Sequence, residues 1–260
     1  MGGGIAQVVA ASGRRVSLYD SVPGAVERGL GAIEKSLARL QVDPAEVLGR
    51  IAPAEDLVPA DLMIEAVVED AAVKEDVFRR ADAALPPEAI LASNTSSIPI
   101  STLAAATRRP DRVIGMHFFN PVPVLKLVEV IRGRETSDAT AAAIVELARE
   151  LGKTPAEARD VPGFVSNRIL MPFINEAVYA LQDGVAGAEA IDTVATLGFA
   201  HPMGPLALAD LIGLDTCVAI MEVLREGLGD PKYAPCPLLH EYVQVGRLGR
   251  KAGRGFYEYA

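Results

Sequence analysis

The feature that most constrains the fold of this chain is a change of pattern near residue 160. Before it, short apolar runs such as residues 61–68 and 113–116 alternate with amphipathic stretches, which predicts strands alternating with helices. After it, four consecutive stretches have helical periodicity: residues 164–181, 188–197, 205–228 and 238–246. We therefore expect an α/β fold with a doubly wound, Rossmann-type sheet over residues 1–160, followed by an all-helical domain over residues 161–260.

The start of the chain has the order of half a dinucleotide-binding unit. Residues 1–11 predict a helix that begins at once, residues 16–19 predict a short strand, and Asp20 follows that strand. An acid in this place accepts hydrogen bonds from the ribose hydroxyls of NAD and repels the 2′-phosphate of NADP. Glycines such as Gly2 let a helix start approach a pyrophosphate. The motif is incomplete, because its first strand and earlier glycines do not occur here, and glycines at a terminus can simply be flexible.

Residues 113–131 contain two apolar runs joined by the proline-rich turn NPVP. Both runs predict short buried strands, and the stiff turn between them sends the chain back on itself. His117 on the first strand could therefore meet Glu129 on the second. A carboxylate on one imidazole nitrogen fixes the tautomer and leaves the other nitrogen as a base. Taken alone, such a pair is more often a satisfied core histidine beside a strand-end acid.

Polar residues follow two further predicted strands. Glu69 comes directly after residues 61–68, Lys74 lies in the first turn of the next helix, and residues 93–97 (SNTSS) follow the run 90–92. Hydroxyl and amide groups at the carboxyl end of a strand are typical of the ligand-facing edge of an open α/β sheet. They are also ordinary turn and helix-capping residues. A helical stretch that carries Ser36 interrupts the alternation, either as a functional insertion or as a surface insertion.

Composition excludes several classes of function. The formal net charge of −9 argues against nucleic acid as the main partner, and no apolar run is long enough to span a membrane. The two cysteines, Cys217 and Cys236, have no metal-binding or redox spacing, and no histidine cluster indicates a metal site. Two reduced thiols are typical of a cytoplasmic protein.

Five blocks of sequence occur in an order that resembles a known family. They are SNTSS (93–97), HFFNPVPVLKLVEVI (117–131), PGFVSNR (162–168), HPMGPLALADLIGLD (201–215) and GRKAGRGFYEY (249–259). Together they resemble the L-3-hydroxyacyl-CoA dehydrogenases, and the bacterial 3-hydroxybutyryl-CoA dehydrogenases most of all. The resemblance implies an NAD-binding domain, a helical domain for dimerisation and substrate binding, and an active site between them. It also implies NAD as cofactor, an acyl-CoA substrate and a homodimer.

The resemblance assigns roles to residues by their position in these blocks. His117 corresponds to the catalytic base, Glu129 to the acid that orients it, Ser96 to a serine near the substrate oxygen and the cofactor, and Asn167 to an asparagine contributed by the second domain. The positions that correspond to cofactor-binding residues are Gly2, Asp20, Glu69, Lys74, Asn94, Ser96, Asn120 and Lys251. Ser36 and Ser96 correspond to residues that contact the CoA substrate, the former less clearly because the helical insertion is short.

The expected reaction is the reversible oxidation of an (S)-3-hydroxyacyl-CoA, such as 3-hydroxybutyryl-CoA, to the 3-oxoacyl-CoA with NAD. His117 would take the hydroxyl proton, Ser96 would donate to the reacting oxygen, and Asn167 would hold the thioester carbonyl. One alternative is a related dehydrogenase of a free hydroxy acid, of the gulonate type. Another is a non-catalytic relative, as a lens crystallin of this superfamily is, which the incomplete NAD motif would favour.

The family resemblance also carries an expectation about the start of the chain. Members of the family open with an apolar strand and a glycine turn before the position of Met1, so about ten residues are expected to precede it in the natural protein. In the present chain, the strands at residues 16–19 and 61–68 should then face a gap in the sheet. We expect such a chain to bind NADH poorly or to be less stable.

Overall fold

The computed structural model describes residues 1–259, which divide into two compact units, Met1–Asp160 and Val161–Ala260. The N-terminal unit contains seven strands: β1 Val16–Leu18, β2 Ile51–Pro53, β3 Leu62–Glu65, β4 Ile90–Ser93, β5 Val113–Phe118, β6 Leu127–Arg132 and β7 Thr154–Arg159. It contains six α-helices: α1 Gly2–Ala11, α2 Ala25–Arg39, α3 Pro44–Leu48, α4 Ala71–Ala84, α5 Ile100–Ala105 and α6 Asp138–Glu150. From β3 onward strands alternate with helices, except that β6 follows β5 directly after a turn, as the apolar pattern predicts.

The strands of the N-terminal unit form two sheets. One is a five-stranded sheet of order β3-β4-β5-β6-β7, in which only the β5–β6 pairing is antiparallel. The other is a parallel pair of β1 and β2. Within residues 1–259 no ladder joins β1 to β3, so the break expected between these two strands is observed. The strand β2, three residues long, was not predicted, because Ile51–Pro53 is too short to show an alternating pattern.

The buried side chains of the N-terminal unit lie where helices cover the sheet. Every residue of β5 is buried, as expected for a strand near the middle of a covered sheet. Ile114 and Met116 of β5 pack with Ile5 of α1 and Ile144 of α6. Local capping chemistry fixes the helix starts, since Asp70 caps α4 and Ser137 caps α6. Asp43 caps α3 before Pro44 in the same way, a helix start that an Asp-Pro pair indicates in a sequence.

The C-terminal unit is built from helices. They are α7 Ser166–Gln182, α8 Ala188–Thr193, α9 Pro205–Ile212, α10 Leu214–Leu228 and α11 Pro237–Gln244, with a π-helical turn at Val194–Gly198 after α8. The expectation of one helix over residues 205–228 is wrong, because Gly213 adopts φ 104° and ends α9 before α10 begins. None of the helices within residues 1–259 is long and apolar enough to cross a membrane. An α/β unit with a largely parallel sheet, followed by a helical unit, confirms the predicted fold class.

Candidate active site

The predicted contact between His117 and Glu129 is present. The two residues are direct partners in the antiparallel β5–β6 register, so their side chains leave the same face of the sheet. Nδ1 of His117 lies 2.8 Å from Oε2 of Glu129. Because an ionised carboxylate only accepts hydrogen bonds, Nδ1 carries the proton and the lone pair of the neutral imidazole is at Nε2. The pair is shielded from water, with side chains 10% and 2% exposed respectively.

Neighbouring groups hold the histidine strand in place. The ring of Phe119 packs on the imidazole of His117 with a centroid distance of 4.7 Å. The side-chain oxygen of Asn94 accepts a hydrogen bond from the backbone N–H of Phe118 at 2.8 Å. Asn94 therefore ties the loop after β4 to the end of β5, which makes at least part of its role structural.

Glu69 accepts hydrogen bonds from residues 95–97, the serine-rich loop that follows β4. One of its oxygens, Oε1, accepts from the hydroxyl of Thr95 at 2.6 Å, from the N–H of Ser96 at 2.9 Å and from the N–H of Ser97 at 3.0 Å. Burial would raise the pKa of the Glu69 carboxyl, but these hydrogen bonds and the charge of Lys74 together lower it. The carboxylate thus fixes the backbone around Ser96, whose hydroxyl lies 3.3 Å from the same oxygen.

Lys74 is a buried lysine whose ammonium is paired with two carboxylates. Its side chain is 1% exposed, and its ammonium lies 2.7 Å from Oε1 of Glu65 and 3.3 Å from Oε2 of Glu69. Sequence reasoning missed Glu65, which ends β3. Its signal was present, because it is the single acid inside the apolar run LMIEAVV. The expected contact between Lys74 and a cofactor stays a prediction.

A cleft of about 330 Å³ brings together residues that lie far apart in the chain. It is lined by the start of α1, by one side of α2 that includes Ser36, and by the loop of Asn120 to Pro123. Gly4 of α1 suits this close approach, since an added Cβ would lie 3.1 Å from Cβ of Val122, which is a tight contact. Two of the predicted ligand-binding residues, Ser36 and Asn120, therefore share one cavity with the glycine-rich helix start.

The same edge of the N-terminal unit fits a dinucleotide. A Cβ added at Gly2 would meet only Ala66, at 3.8 Å, so the first turn of α1 leaves space beside the carboxyl end of β3. Helix starts of this kind favour phosphate groups. Asp20 is exposed after β1, and its Oδ1 accepts from the N–H of Val22 at 2.9 Å. The residues present thus suit NAD, with Asp20 available to ribose hydroxyls and the glycine-rich helix start available to the pyrophosphate.

Lys153 is a second buried residue that sequence reasoning missed. Its ammonium donates to the carbonyl oxygens of Val122 at 2.5 Å and Leu125 at 2.8 Å. Burial lowers its pKa, because the charged form is desolvated. Lys153 therefore holds the loop between β5 and β6 against the body of the unit. A lysine directly before a strand gives no sequence signal for such a role.

Two predicted site residues lie in the C-terminal unit. Asn167 is buried in the first turn of α7. Lys251 lies near the C-terminus, where its ammonium donates to Oδ2 of Asp215 at 2.7 Å. The segment after Lys251 is fixed by Asp210, which accepts from the N–H groups of Phe256 and Tyr257 at 2.9 and 3.0 Å. The contact of Lys251 with a cofactor stays a prediction.

The other two histidines, His201 and His240, have no acid partner in a recognisable sequence motif, which favours a structural role. Nδ1 of His201 lies 2.6 Å from the carbonyl oxygen of Met203, a local backbone contact that fits this expectation. Nε2 of His240 lies 3.9 Å from Glu222, and both side chains are partly exposed. Neither has the close, buried carboxylate that His117 has.

Comparison with known proteins identifies the family of the chain. Residues 1–161 match the family model described as 3-hydroxyacyl-CoA dehydrogenase, NAD binding domain, and residues 163–259 match 3-hydroxyacyl-CoA dehydrogenase, C-terminal domain. The chain is 56% identical to a probable 3-hydroxybutyryl-CoA dehydrogenase of Bacillus subtilis, covering 100% of this chain and 94% of that protein. It is 52% identical to a 3-hydroxybutyryl-CoA dehydrogenase of Bradyrhizobium diazoefficiens, covering 100% and 92%.

A solved structure gives the same result. The crystal structure of (S)-3-hydroxybutyryl-CoA dehydrogenase from Ralstonia eutropha superposes with a TM-score of 0.96 at 48% identity, covering 100% of this chain and 95% of that one. Sequence and fold therefore agree over both units. The chain belongs to the 3-hydroxyacyl-CoA dehydrogenase family of NAD-dependent oxidoreductases.

Proposed function

We propose that this protein reversibly oxidises (S)-3-hydroxyacyl-CoA, with 3-hydroxybutyryl-CoA as the preferred substrate, to 3-oxoacyl-CoA with NAD. The observation that carries the proposal is the buried contact of 2.8 Å between Nδ1 of His117 and Oε2 of Glu129. A base of this kind is what removal of a secondary hydroxyl proton requires. The names of the relatives, most of them 3-hydroxybutyryl-CoA dehydrogenases, support the choice of substrate.

His117 acts as the general base at Nε2. In the oxidation direction it accepts the proton of the substrate hydroxyl, and the resulting imidazolium donates through Nδ1–H to Glu129. The buried carboxylate stabilises this charge in a place where water cannot, as the acid of a Ser-His-Asp triad does for its histidine. NAD, when bound, supplies the acceptor for the hydride that leaves the carbinol carbon of the substrate. In the reverse direction the imidazolium returns the proton to the oxygen.

Ser96 and Asn167 orient the substrate. The hydroxyl of Ser96 donates to the reacting oxygen as it becomes a carbonyl, and Glu69 holds the backbone of Ser96 for that purpose. The amide of Asn167 donates to the thioester carbonyl, which fixes the position of the reacting carbon. Both roles rest on the resemblance of the SNTSS and PGFVSNR blocks to those of the family.

The proposal assigns one set of residues to the cofactor and another to the CoA portion of the substrate. The residues that hold NAD are Gly2, Asp20, Glu69, Lys74, Asn94, Ser96, Asn120 and Lys251. The CoA portion of the substrate lies along Ser36, and the shared cleft of Ser36 and Asn120 supports this assignment. Two buried, reduced cysteines are consistent with action in the cytoplasm.

A substrate comparison tests the proposal. Oxidation of NADH is followed spectrophotometrically with acetoacetyl-CoA and with free acetoacetate at equal concentrations. We expect turnover with the thioester and at least about tenfold lower kcat/KM with the free acid, which lacks the CoA contacts. Equal or faster turnover of the free acid would favour a hydroxy-acid dehydrogenase. Absence of turnover with either compound would favour a non-catalytic relative.

We also propose that the protein forms a homodimer through its C-terminal unit. Large apolar side chains are exposed on these helices and their connections, including Leu197 at 82% and Phe199 at 69% exposure. Ile169, Val185 and Val245 are also exposed. A contiguous exposed apolar patch marks a protein–protein contact surface, and we propose that these side chains belong to such a patch.

A further inference from the structure

We propose that Glu65 is a positioning residue for Ser96, acting through Lys74 and Glu69. The proposal rests on the function proposed above, in which Ser96 donates to the substrate oxygen. Glu65 does not itself touch the reacting groups in this account. Its carboxylate sets the place of the Lys74 ammonium, the ammonium sets the orientation of Glu69, and Glu69 holds the loop that presents Ser96.

Both carboxylate oxygens of Glu65 accept hydrogen bonds inside the protein. Its side chain is 0% exposed. One oxygen, Oε1, accepts from the ammonium of Lys74 at 2.7 Å and from the N–H of Val67 at 2.6 Å. The other, Oε2, accepts from the hydroxyl of Ser93 at 2.6 Å. A buried carboxylate is costly unless it is paired in this way, so its three donors are held in a single arrangement.

Lys74 joins two carboxylates of different exposure. Glu65 on one side is completely buried, whereas the side chain of Glu69 on the other is 37% exposed. The ammonium lies 2.7 Å from the first and 3.3 Å from the second. Because Lys74 takes Oε2 of Glu69, the remaining oxygen Oε1 is directed at the serine-rich loop. Glu65 thereby determines, through Lys74, the orientation of the Glu69 carboxylate.

Oε1 of Glu69 is the common acceptor for the loop. Donors from three successive residues, Thr95, Ser96 and Ser97, converge on this one atom at distances of 2.6 to 3.3 Å. An acceptor shared by several donors must keep its position for all of them at once. A displacement of Glu69 would therefore shift the Ser96 backbone and its hydroxyl together.

A second connection runs from Glu65 to the same loop. The hydroxyl of Ser93, which donates to Glu65, also accepts from the N–H of Thr95 at 3.1 Å. These contacts close into a ring, whose members are Glu65, Lys74, Glu69, Thr95 and Ser93. The ring contains two carboxylates and one ammonium. Its geometry depends on Glu65, because this residue belongs to both connections.

The test compares Glu65→Gln with a matched control, Asp82→Asn. Gln keeps the size of the side chain but replaces one accepting oxygen by a donating nitrogen, which cannot pair with an ammonium. Asp82 lies on the same helix as Lys74 and is also a buried acid, paired with Arg108 and Arg109 at 2.8 Å each. Both of these arginines lie outside the serine-rich loop, so Asp82→Asn reports the general effect of breaking a buried ion pair.

The first measurement is hydrogen–deuterium exchange at the amides of residues 95–97, which needs no activity. We expect faster exchange in Glu65→Gln than in the wild type, and unchanged exchange there in Asp82→Asn. The second measurement is kcat with acetoacetyl-CoA and NADH at a temperature where all variants are folded. We expect Glu65→Gln to lose about tenfold or more in kcat with a smaller change in KM, and Asp82→Asn to stay within about twofold.

A double variant tests the route through Lys74. In the Lys74→Met background, Glu65→Gln should lower kcat by less than about threefold, because one of the two connections that it breaks, the one through Lys74, is already absent. The same loss in both backgrounds would overturn the route through Lys74. Wild-type exchange at residues 95–97 in Glu65→Gln would overturn the positioning role itself. An inactive wild-type chain would instead contradict the proposed function, and the exchange data would still decide the role of Glu65.

Discussion

His117 and Glu129 lie directly opposite each other across the only antiparallel pairing among the strands described within residues 1–259. This register puts both side chains on one face with Nδ1 and Oε2 separated by 2.8 Å. Because side chains alternate between faces along a strand, a slip of one residue would send one member of the pair to the opposite face. The contact therefore depends on the length of the turn between the strands as much as on the two residues.

Replacing His117 by Asn should remove the base and leave the strand intact. We expect kcat to fall by about 10² to 10⁴, the usual contribution of a general base, with little change in NADH affinity. Steady-state kinetics with acetoacetyl-CoA and fluorescence titration of NADH measure the two quantities. A variant that keeps most of its kcat would remove His117 from the mechanism.

Replacing Glu129 by Gln should weaken the base without removing it. The amide cannot stabilise the imidazolium as a carboxylate does, so kcat should fall and the pH–rate profile should change. The profile of the variant is compared with that of the wild type over the same pH range. An unchanged profile of unchanged height would reduce Glu129 to a structural acid.

Glu69 should make the stability of the protein dependent on pH. Its pKa lies below the ordinary value of 4.5, so the folded state binds the proton less readily than the unfolded state. Its stabilising contribution is therefore fully present above pH 4.5 and is lost as the pH falls through the lowered pKa. Urea unfolding of the wild type and of Glu69→Gln should differ more at pH 7 than at pH 4, and a difference that grows on acidification would contradict this sign.

Asp20 should select NADH over NADPH. Its carboxylate faces like charge when a 2′-phosphate is present, whereas ribose hydroxyls can donate to it. We expect a higher kcat/KM with NADH than with NADPH. In Asp20→Ala, the ratio of these two kcat/KM values should be lower than in the wild type. A wild-type preference for NADPH would show that Asp20 does not face the ribose.

The exposed apolar residues of the C-terminal unit should mediate dimerisation. Sedimentation velocity at micromolar concentration should show a species of twice the chain mass of 27.4 kDa. Leu197→Asp should shift the population toward the monomer, because a charge is desolvated in the contact. Glu226→Gln, at a charged and exposed position on α10, serves as the control. A wild-type species of 27.4 kDa under these conditions would contradict the dimer.

Much of the fold follows from local patterns in the sequence. The alternation of strands with helices, its end near residue 160 and the caps of α3 and α6 are visible because periodicity and capping act over a few residues. The His117–Glu129 contact could be predicted for a related reason. The two residues are 12 positions apart on strands joined by one stiff turn, which leaves few ways for them to be arranged.

The groups that support the site were decided by the tertiary structure. Glu65 and Ser93 are 28 positions apart, and Lys153 lies 31 positions from Val122. The ending of α9 at Gly213 likewise depends on a backbone conformation that a run of apolar residues does not indicate. Local sequence determines which elements form, because hydrogen bonds and apolar faces within an element involve near neighbours. The partners of a buried charge are determined by how the elements pack, because a desolvated charge is stable only where packing brings a donor or acceptor within about 3 Å.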